Sequence, residues 1–349
     1  MKTCKEVKEL LLDIPRVELG FYPTPFYKLE RLSEKLGVNL YIKREDFSGQ
    51  SLFGGNKIRK LEYLLGDAKE KGCEYVFTYG ATQSNHAMQT VEACRKIGLK
   101  PILYLTSIVS PDENDYRSNL LLDKILGAEI HIVELEDGES ENDATERSIA
   151  LGKDHIKKLE SKGHKCYDIP VGGASFVGTL GFIGGYIELY EQLSKIGVKA
   201  DYIFHSTGTG GTMAGLVAGK KIIGDDTNII SIDVNHHSNS YKYLSAELGN
   251  DALELIGEER ILSEADFYND LSYYYPGYEK SNEKSTEAIK IMGENEGLLL
   301  DPVYTGKGFA GLIDYVRKGK VPNGSNVVFI HTGGATALFA EKEIIGDLF

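Results

Sequence analysis

Ser51-Leu-Phe-Gly-Gly-Asn-Lys-Ile-Arg-Lys-Leu-Glu62 sets one lysine, Lys57, at the mouth of a helix behind two glycines and an asparagine. Apolar residues at Ile58, Leu61, Leu64 and Leu65 recur at helical spacing, which predicts a helix starting near Asn56 whose first turn offers unpaired N–H groups. Gly54 and Gly55 let a backbone or a ligand come close. An amine held there, near the positive end of a helix and partly desolvated, has its protonated form disfavoured and can add to an aldehyde. Covalent attachment of pyridoxal phosphate has that requirement. Taken alone, the stretch also reads as a solvated basic helix start in which Lys57 joins Arg59 and Lys60.

Outward from this turn the pattern becomes regular. Strand-like runs at 75–79, 101–105 and 129–133 alternate with helical runs at 85–97 and 117–126. Upstream, Pro23 and Pro25 break any early helix, and an amphipathic stretch at 29–36 leads into a strand at 40–43. Downstream, the acidic segment 134–143 reads as a loop, followed by a polar helix at 144–162 and a strand at 166–169. The alternation then resumes through strands at 201–205, 229–233 and 326–330. Such a pattern marks an α/β protein with mostly parallel, twisted sheets wrapped by helices. We expect two lobes, a larger one from 1–52 and 166–349 and a smaller one from 53–165. Residues 257–281, with five tyrosines between Asp266 and Tyr278, read as irregular structure over a site.

A chain of 349 residues can build two lobes with large cores, and 42% hydrophobic with 26% charged residues is an ordinary globular composition that argues against disorder. The net charge of -13, without any basic run, argues against a nucleic-acid partner. No signal-peptide core and no charge-free span long enough for a bilayer occurs, so no membrane partner and a cytoplasmic location are expected. The four cysteines stand singly, which suits reduced thiols. The adjacent pair His236-His237 cannot readily face one ion, and no metal site is expected.

In doubly wound sheets ligands sit beyond the carboxyl ends of the strands, so the strand-to-helix turns are the places to search. Gly80-Ala-Thr-Gln-Ser-Asn-His86 follows a strand; Ser84 can cap the next helix while neighbouring N–H groups and the Asn85 amide face an anion such as a carboxylate. Ser206-Thr-Gly-Thr-Gly-Gly-Thr212 offers successive N–H groups, hydroxyls and a helix dipole, which together make a phosphate cradle. It lacks the ending of a P-loop. As a dinucleotide fingerprint it is incomplete, because Met213 stands where a third glycine belongs, although Asp233 at the next strand end keeps a nucleotide-dependent dehydrogenase open. The pairs Tyr304-Thr305 and His331-Thr332 follow apolar segments, where a threonine could meet a ring nitrogen and a tyrosine a ligand face.

With these turns in place, the sequence resembles the fold-type II pyridoxal-phosphate enzymes, the tryptophan synthase β-like fold. Within them it is most similar to the D-cysteine desulfhydrase and 1-aminocyclopropane-1-carboxylate deaminase family. The likeness rests on Gly54-Gly-Asn-Lys-Ile-Arg-Lys-Leu-Glu62, Gln83-Ser-Asn-His86, Ser206 to Gly211, Asp301-Pro-Val-Tyr-Thr-Gly-Lys307 and His331-Thr-Gly-Gly334, in the family's order. It implies Lys57 as the covalent attachment point of pyridoxal 5'-phosphate and Asn85 as partner of the ring hydroxyl. Thr207, Gly208, Thr209, Gly210 and Gly211 would hold the phosphate, and Thr332 would meet the pyridine nitrogen. Gln83, Ser84, Asn85, His86 and Tyr304 would contact substrate, with Lys57, Ser84, Tyr278 and Tyr304 taking part in catalysis.

Ring-opening deaminases of the family typically have glutamate where this chain has Thr305 and leucine where it has Thr332. A hydroxyl is a neutral partner for the pyridine nitrogen and need not keep it protonated, which suits prompt loss of a β-substituent. The resemblance therefore implies a homodimeric lyase for a small amino acid, D-cysteine above all, giving pyruvate, ammonia and hydrogen sulfide. L-Cysteate or 1-aminocyclopropane-1-carboxylate are the alternative substrates, and a non-enzymatic ligand-binding relative remains a further alternative. The chain departs from the family at Tyr278-Glu-Lys-Ser-Asn282, where members often have Tyr-Gly-x-Pro-Asn.

Overall fold

The computed structural model describes residues 1–111, 116–235, 237 and 240–348; His236 of the histidine pair lies outside the described residues. In chain order it runs α1 (Cys4–Leu12), β1 (Phe26–Lys28), α2 (Glu30–Leu36), β2 (Asn39–Arg44), α3 (Lys57–Glu70), β3 (Tyr75–Ala81), α4 (Asn85–Ile97), β4 (Lys100–Ser107), α5 (Ser118–Ile125), β5 (Glu129–Glu134) and α6 (Glu141–Glu160). It continues through β6 (Cys166–Ile169), α7 (Phe176–Lys195), β7 (Tyr202–Thr207), α8 (Gly211–Ile223), β8 (Asn228–Asp233), α9 (Tyr241–Leu255), β9 (Asn269–Asp270), α10 (Glu283–Glu296), α11 (Thr305–Arg317), β10 (Asn326–His331) and α12 (Lys342–Ile345).

Two sheets organise these elements, one of order β1-β2-β10-β7-β8-β9 and one of order β5-β4-β3-β6. Among the described residues, every pairing between these strands is parallel except β1 with β2. Parallel strands covered on both faces need continuous apolar runs, and Ile102 to Leu105 of β4 and Val327 to Ile330 of β10 are buried throughout. Separate apolar clusters flank the larger sheet, and others flank the smaller.

One expected boundary moves. β6 pairs with β3, Cys166 opposite Tyr75 through Ile169 opposite Thr78, so residues 166–169 complete the four-stranded sheet instead of opening the larger lobe. A four-residue strand carries no mark of the sheet it will join. α6 also starts earlier than expected: the Ser140 hydroxyl accepts from the Asp143 N–H at 3.2 Å, and Glu141 and Asp143 sit in the first turn, where the helix dipole favours acids. α1, which the sequence reading did not contain, is closed by a capping box between Thr3 and Glu6.

The lysine helix α3 packs against α7 and α4. Its approach to α7 depends on small residues, since a Cβ on Gly181 would lie 2.3 Å from the Arg59 carbonyl oxygen. A buried ion network binds the same helix to the larger sheet. Arg59 Nε lies 2.6 Å from Glu45 Oε2 and its Nη2 2.8 Å from Glu188 Oε1, while Lys43 of β2 also pairs with Glu188.

Candidate active site

The carboxyl ends of β3, β7 and β10 and the amino ends of α3, α4, α6 and α8 open onto one cavity of about 820 Å³. Lys57, the first residue of α3, lines it. The turn before it is fastened from the opposite sheet: the Asn56 N–H donates to the Thr332 carbonyl at 3.0 Å, and Asn56 Nδ2 donates to Thr212 Oγ1 at 2.9 Å. A Cβ on Gly54 would fall 1.5 Å from the Ser48 carbonyl oxygen, and one on Gly55 2.9 Å from that of Thr332. Backbone and, at Gly55, the Gln89 side chain 2.6 Å from such a Cβ are what these glycines admit, not ligand. Burial lowers the Lys57 ammonium pKa to about 8, so the neutral amine is accessible near physiological pH.

Lys60, read from sequence as part of a solvated helix start, is 1% exposed. Its Nζ donates to the Gly172 carbonyl at 3.3 Å and would meet a Cβ on Gly211 at 2.9 Å, beside the amino end of α8. Burial, and then the charge of Lys57, push its ammonium pKa well below the usual range. Its spacing of three residues from Lys57 was the available signal, because such residues share a helix face.

Thr207, Gly208, Thr209 and Gly210 line the cavity ahead of α8, with Gly210 in the left-handed region at φ 85°. Tyr241 braces the loop, its hydroxyl 2.8 Å from Thr207 Oγ1 and donating to the Gly208 carbonyl at 2.9 Å. Gly211 does not line the cavity; it is the buried first residue of α8, turned toward Lys60. Asp233 does not face the cavity either. It is fully buried, accepting from the Asn235 N–H at 2.7 Å and Asn269 Nδ2 at 2.7 Å, which leaves a ribose nothing to bind and removes the dehydrogenase reading.

On the other wall, Ser84 caps α4 by accepting from the Ala87 N–H at 3.2 Å, and still lines the cavity. Asn85 Oδ1 accepts from Asn119 Nδ2 at 2.9 Å and Thr336 Oγ1 at 3.1 Å, which turns the amide's donor nitrogen inward. Gln83 does not reach the cavity. Its Oε1 accepts from the Asn119 N–H at 3.0 Å and its Nε2 donates to Glu341 Oε1 at 3.1 Å, so it supports α5 and the C-terminal segment. His86 lines the cavity with its Nε2 2.9 Å from Thr78 Oγ1; burial drives its pKa well down, so it is a neutral imidazole.

Tyr278 and Tyr304 face the cavity with their hydroxyls hydrogen-bonded and rings 5.8 Å apart at 74°. Desolvation raises both phenol pKa values, so both are protonated donors at neutral pH. The loop carrying Tyr278 is held by Lys307, which sequence reasoning passed over: its buried Nζ donates to the carbonyls of Tyr274 at 3.1 Å and Gly277 at 2.8 Å. Thr332 lines the cavity. Thr305 does not: its hydroxyl donates to Asp301 Oδ1 at 2.6 Å inside a fully buried turn. Thr305 therefore has no direct contact with the site through which to set specificity.

A buried amine poised near pH 8, a glycine loop at a helix start backed by a second lysine, and an inward amide fit an aldehyde that carries a phosphate and a hydroxylated ring. The comparisons agree. Residues 17–333 match the family model for pyridoxal-phosphate dependent enzymes. A Pyrococcus abyssi protein named provisionally as a 1-aminocyclopropane-1-carboxylate deaminase is 41% identical over 343 residues, covering 98% of each chain. The D-cysteine desulfhydrase of Salmonella paratyphi C is 36% identical over 333 residues, covering 95% of this chain and 97% of that protein. The crystal structure of an ACC deaminase homologue superposes with a TM-score of 0.84 at 38% identity, over 95% of this chain and 96% of that one. A threonine deaminase, at TM-score 0.60 and 17% identity, shares the fold. With lysine turn, cradle and relatives in agreement, the chain belongs to the pyridoxal-phosphate-dependent enzymes of fold-type II, in the 1-aminocyclopropane-1-carboxylate deaminase and D-cysteine desulfhydrase family.

Proposed function

We propose that the protein is a D-cysteine desulfhydrase, eliminating the β-substituent of D-cysteine to give pyruvate, ammonia and hydrogen sulfide. The observation that supports this most is Thr332 in the cavity lining, where the only carboxylate among the described lining residues is the exposed Glu141. A neutral hydroxyl beside the pyridine nitrogen suits expulsion of a good leaving group, whereas strong electron withdrawal into a protonated ring is what a ring-opening reaction asks for.

In this reading Lys57 holds the cofactor, Thr207 to Gly210 with Lys60 hold its phosphate, and Asn85 donates to its ring hydroxyl. Bound pyridoxal phosphate supplies an electron sink conjugated to the substrate's α-carbon. Ser84 and the first N–H groups of α4 bind the substrate carboxylate at the positive end of that helix. The Lys57 amine, freed when the substrate amine takes its place, would take the α-proton; the C–H electron pair would form the Cα–Cβ double bond as the C–S pair leaves with sulfur, which the Tyr278–Tyr304 pair would protonate. The released enamine hydrolyses to pyruvate and ammonia. A homodimer is part of the proposal on the strength of the resemblance.

The second reading is 1-aminocyclopropane-1-carboxylate deaminase, favoured by the higher identity to the Pyrococcus abyssi protein. Initial rates with D-cysteine, L-cysteine, L-cysteate and 1-aminocyclopropane-1-carboxylate, compared on the holoenzyme, separate the two. A preference for D-cysteine supports the proposal; a preference for the cyclopropane amino acid, yielding a four-carbon keto acid, replaces it.

A further inference from the structure

β5 is the outer strand of the four-stranded sheet, and α6 packs over it. Glu129 and His131 lie two residues apart on β5, so both side chains leave the same face, and His131 Nε2 is 2.8 Å from Glu129 Oε1. From α6, His155 brings Nδ1 to 3.9 Å from that oxygen. The imidazole rings stand 5.6 Å apart at 85°. One donor atom from each of the three residues lies within 4.8 Å of the others, the one such grouping among the described residues. The rings are held from below: Tyr104 stacks on His131 at 4.4 Å, its hydroxyl lies 3.2 Å from His155 Nδ1, and Phe77 meets His155 edge-on at 5.3 Å.

We propose that Glu129, His131 and His155 form a binding site for a divalent transition-metal ion of the zinc class. Two imidazole nitrogens and one carboxylate are a ligand set suited to Zn²⁺, and three protein ligands leave a position for water. Side-chain exposures of 50%, 39% and 23% keep that position open to solvent, so the ion exchanges. Binding exchanges the Tyr104–His155 hydrogen bond for a metal bond. It also fastens α6 to the sheet edge. Ser140, Glu141, Asn142 and Thr145, at the start of the same helix, line the catalytic cavity, so an ion at His155 steadies one of its walls.

The test is calorimetric titration of the holoenzyme with Zn²⁺ in the absence of amino acids. Wild type should bind one ion per chain, and His131→Ala and His155→Ala should each weaken binding by at least about tenfold. Cys73 and Cys166 are near neighbours, Sγ of the first 3.5 Å from the carbonyl oxygen of the second, so a Cys73→Ser, Cys166→Ser variant serves as the thiol control and should bind as wild type does. Unchanged visible absorbance of the cofactor shows that each variant is folded. Co²⁺ in place of Zn²⁺ should give a d–d spectrum that disappears in His155→Ala. Absence of saturable binding to wild type, wild-type affinity in both His131→Ala and His155→Ala, or loss of binding in the serine variant would each overturn the site.

Discussion

Lys57 and Lys60 stand one helical turn apart and are set for different work by their surroundings. Lys57 opens onto the cavity, with its pKa lowered to about 8 by burial. The neutral fraction of its amine therefore grows as pH rises through that value. Stopped-flow mixing of apoprotein with pyridoxal phosphate should show covalent uptake accelerating through about pH 8 and levelling above it. Lys57→Ala should show neither the visible band of the attached cofactor nor turnover; an active variant without added amine would remove Lys57 from its role. At the opposite edge of the proposed ring site, Thr332→Leu should keep the cofactor and lower turnover of D-cysteine about tenfold, the cost of one lost hydrogen bond in a buried site. Unchanged kcat would show that this hydroxyl does not matter to the elimination.

At the scale of elements, helix starts and glycine contacts do the positioning. The Lys57 turn, the Ser84 cap and the glycine loop before α8 were legible because each combines a strand end, a helix start and a diagnostic residue within a few positions. What the sequence hid depends on contacts between distant segments. Lys60 is buried by Gly172 and Gly211, Gln83 is drawn away by Asn119 and Glu341, and Thr305 is captured by Asp301. β6 joined the smaller sheet through pairing with β3 alone. Two variants probe these contacts. Lys307→Met frees the carbonyls of Tyr274 and Gly277 that hold the Tyr278 loop, and should lower kcat/KM about tenfold or more while the cofactor spectrum stays intact. Gly181→Ala forces a methyl against the Arg59 carbonyl and should destabilise the chain by about 1–3 kcal/mol, read as a lower denaturant midpoint.

Across the whole molecule, the network of Lys43, Glu45, Arg59 and Glu188 joins the lysine helix to β2 and α7. Burial opposes ionisation of Glu188, but Arg59 and Lys43 outweigh it and hold its carboxyl at about 2, against an ordinary 4.5. Its pairing thus contributes stability that is present above about 4.5 and is lost as pH falls toward 2. Arg59→Met leaves the buried Glu45 carboxylate without its cation, while Glu188 keeps Lys43, and should cost about 3–5 kcal/mol at neutral pH. That gap should narrow in acid, as Glu188 protonates and its pairing with Arg59 is lost from the wild type; a gap independent of pH in denaturant unfolding would assign the loss to packing. Whether this scaffold serves β-elimination is decided by quantifying keto acid and sulfide released together from D-cysteine by the purified holoenzyme. Pyruvate and sulfide should appear in equal amounts. No sulfide from D-cysteine, alongside a four-carbon keto acid from 1-aminocyclopropane-1-carboxylate, would contradict it.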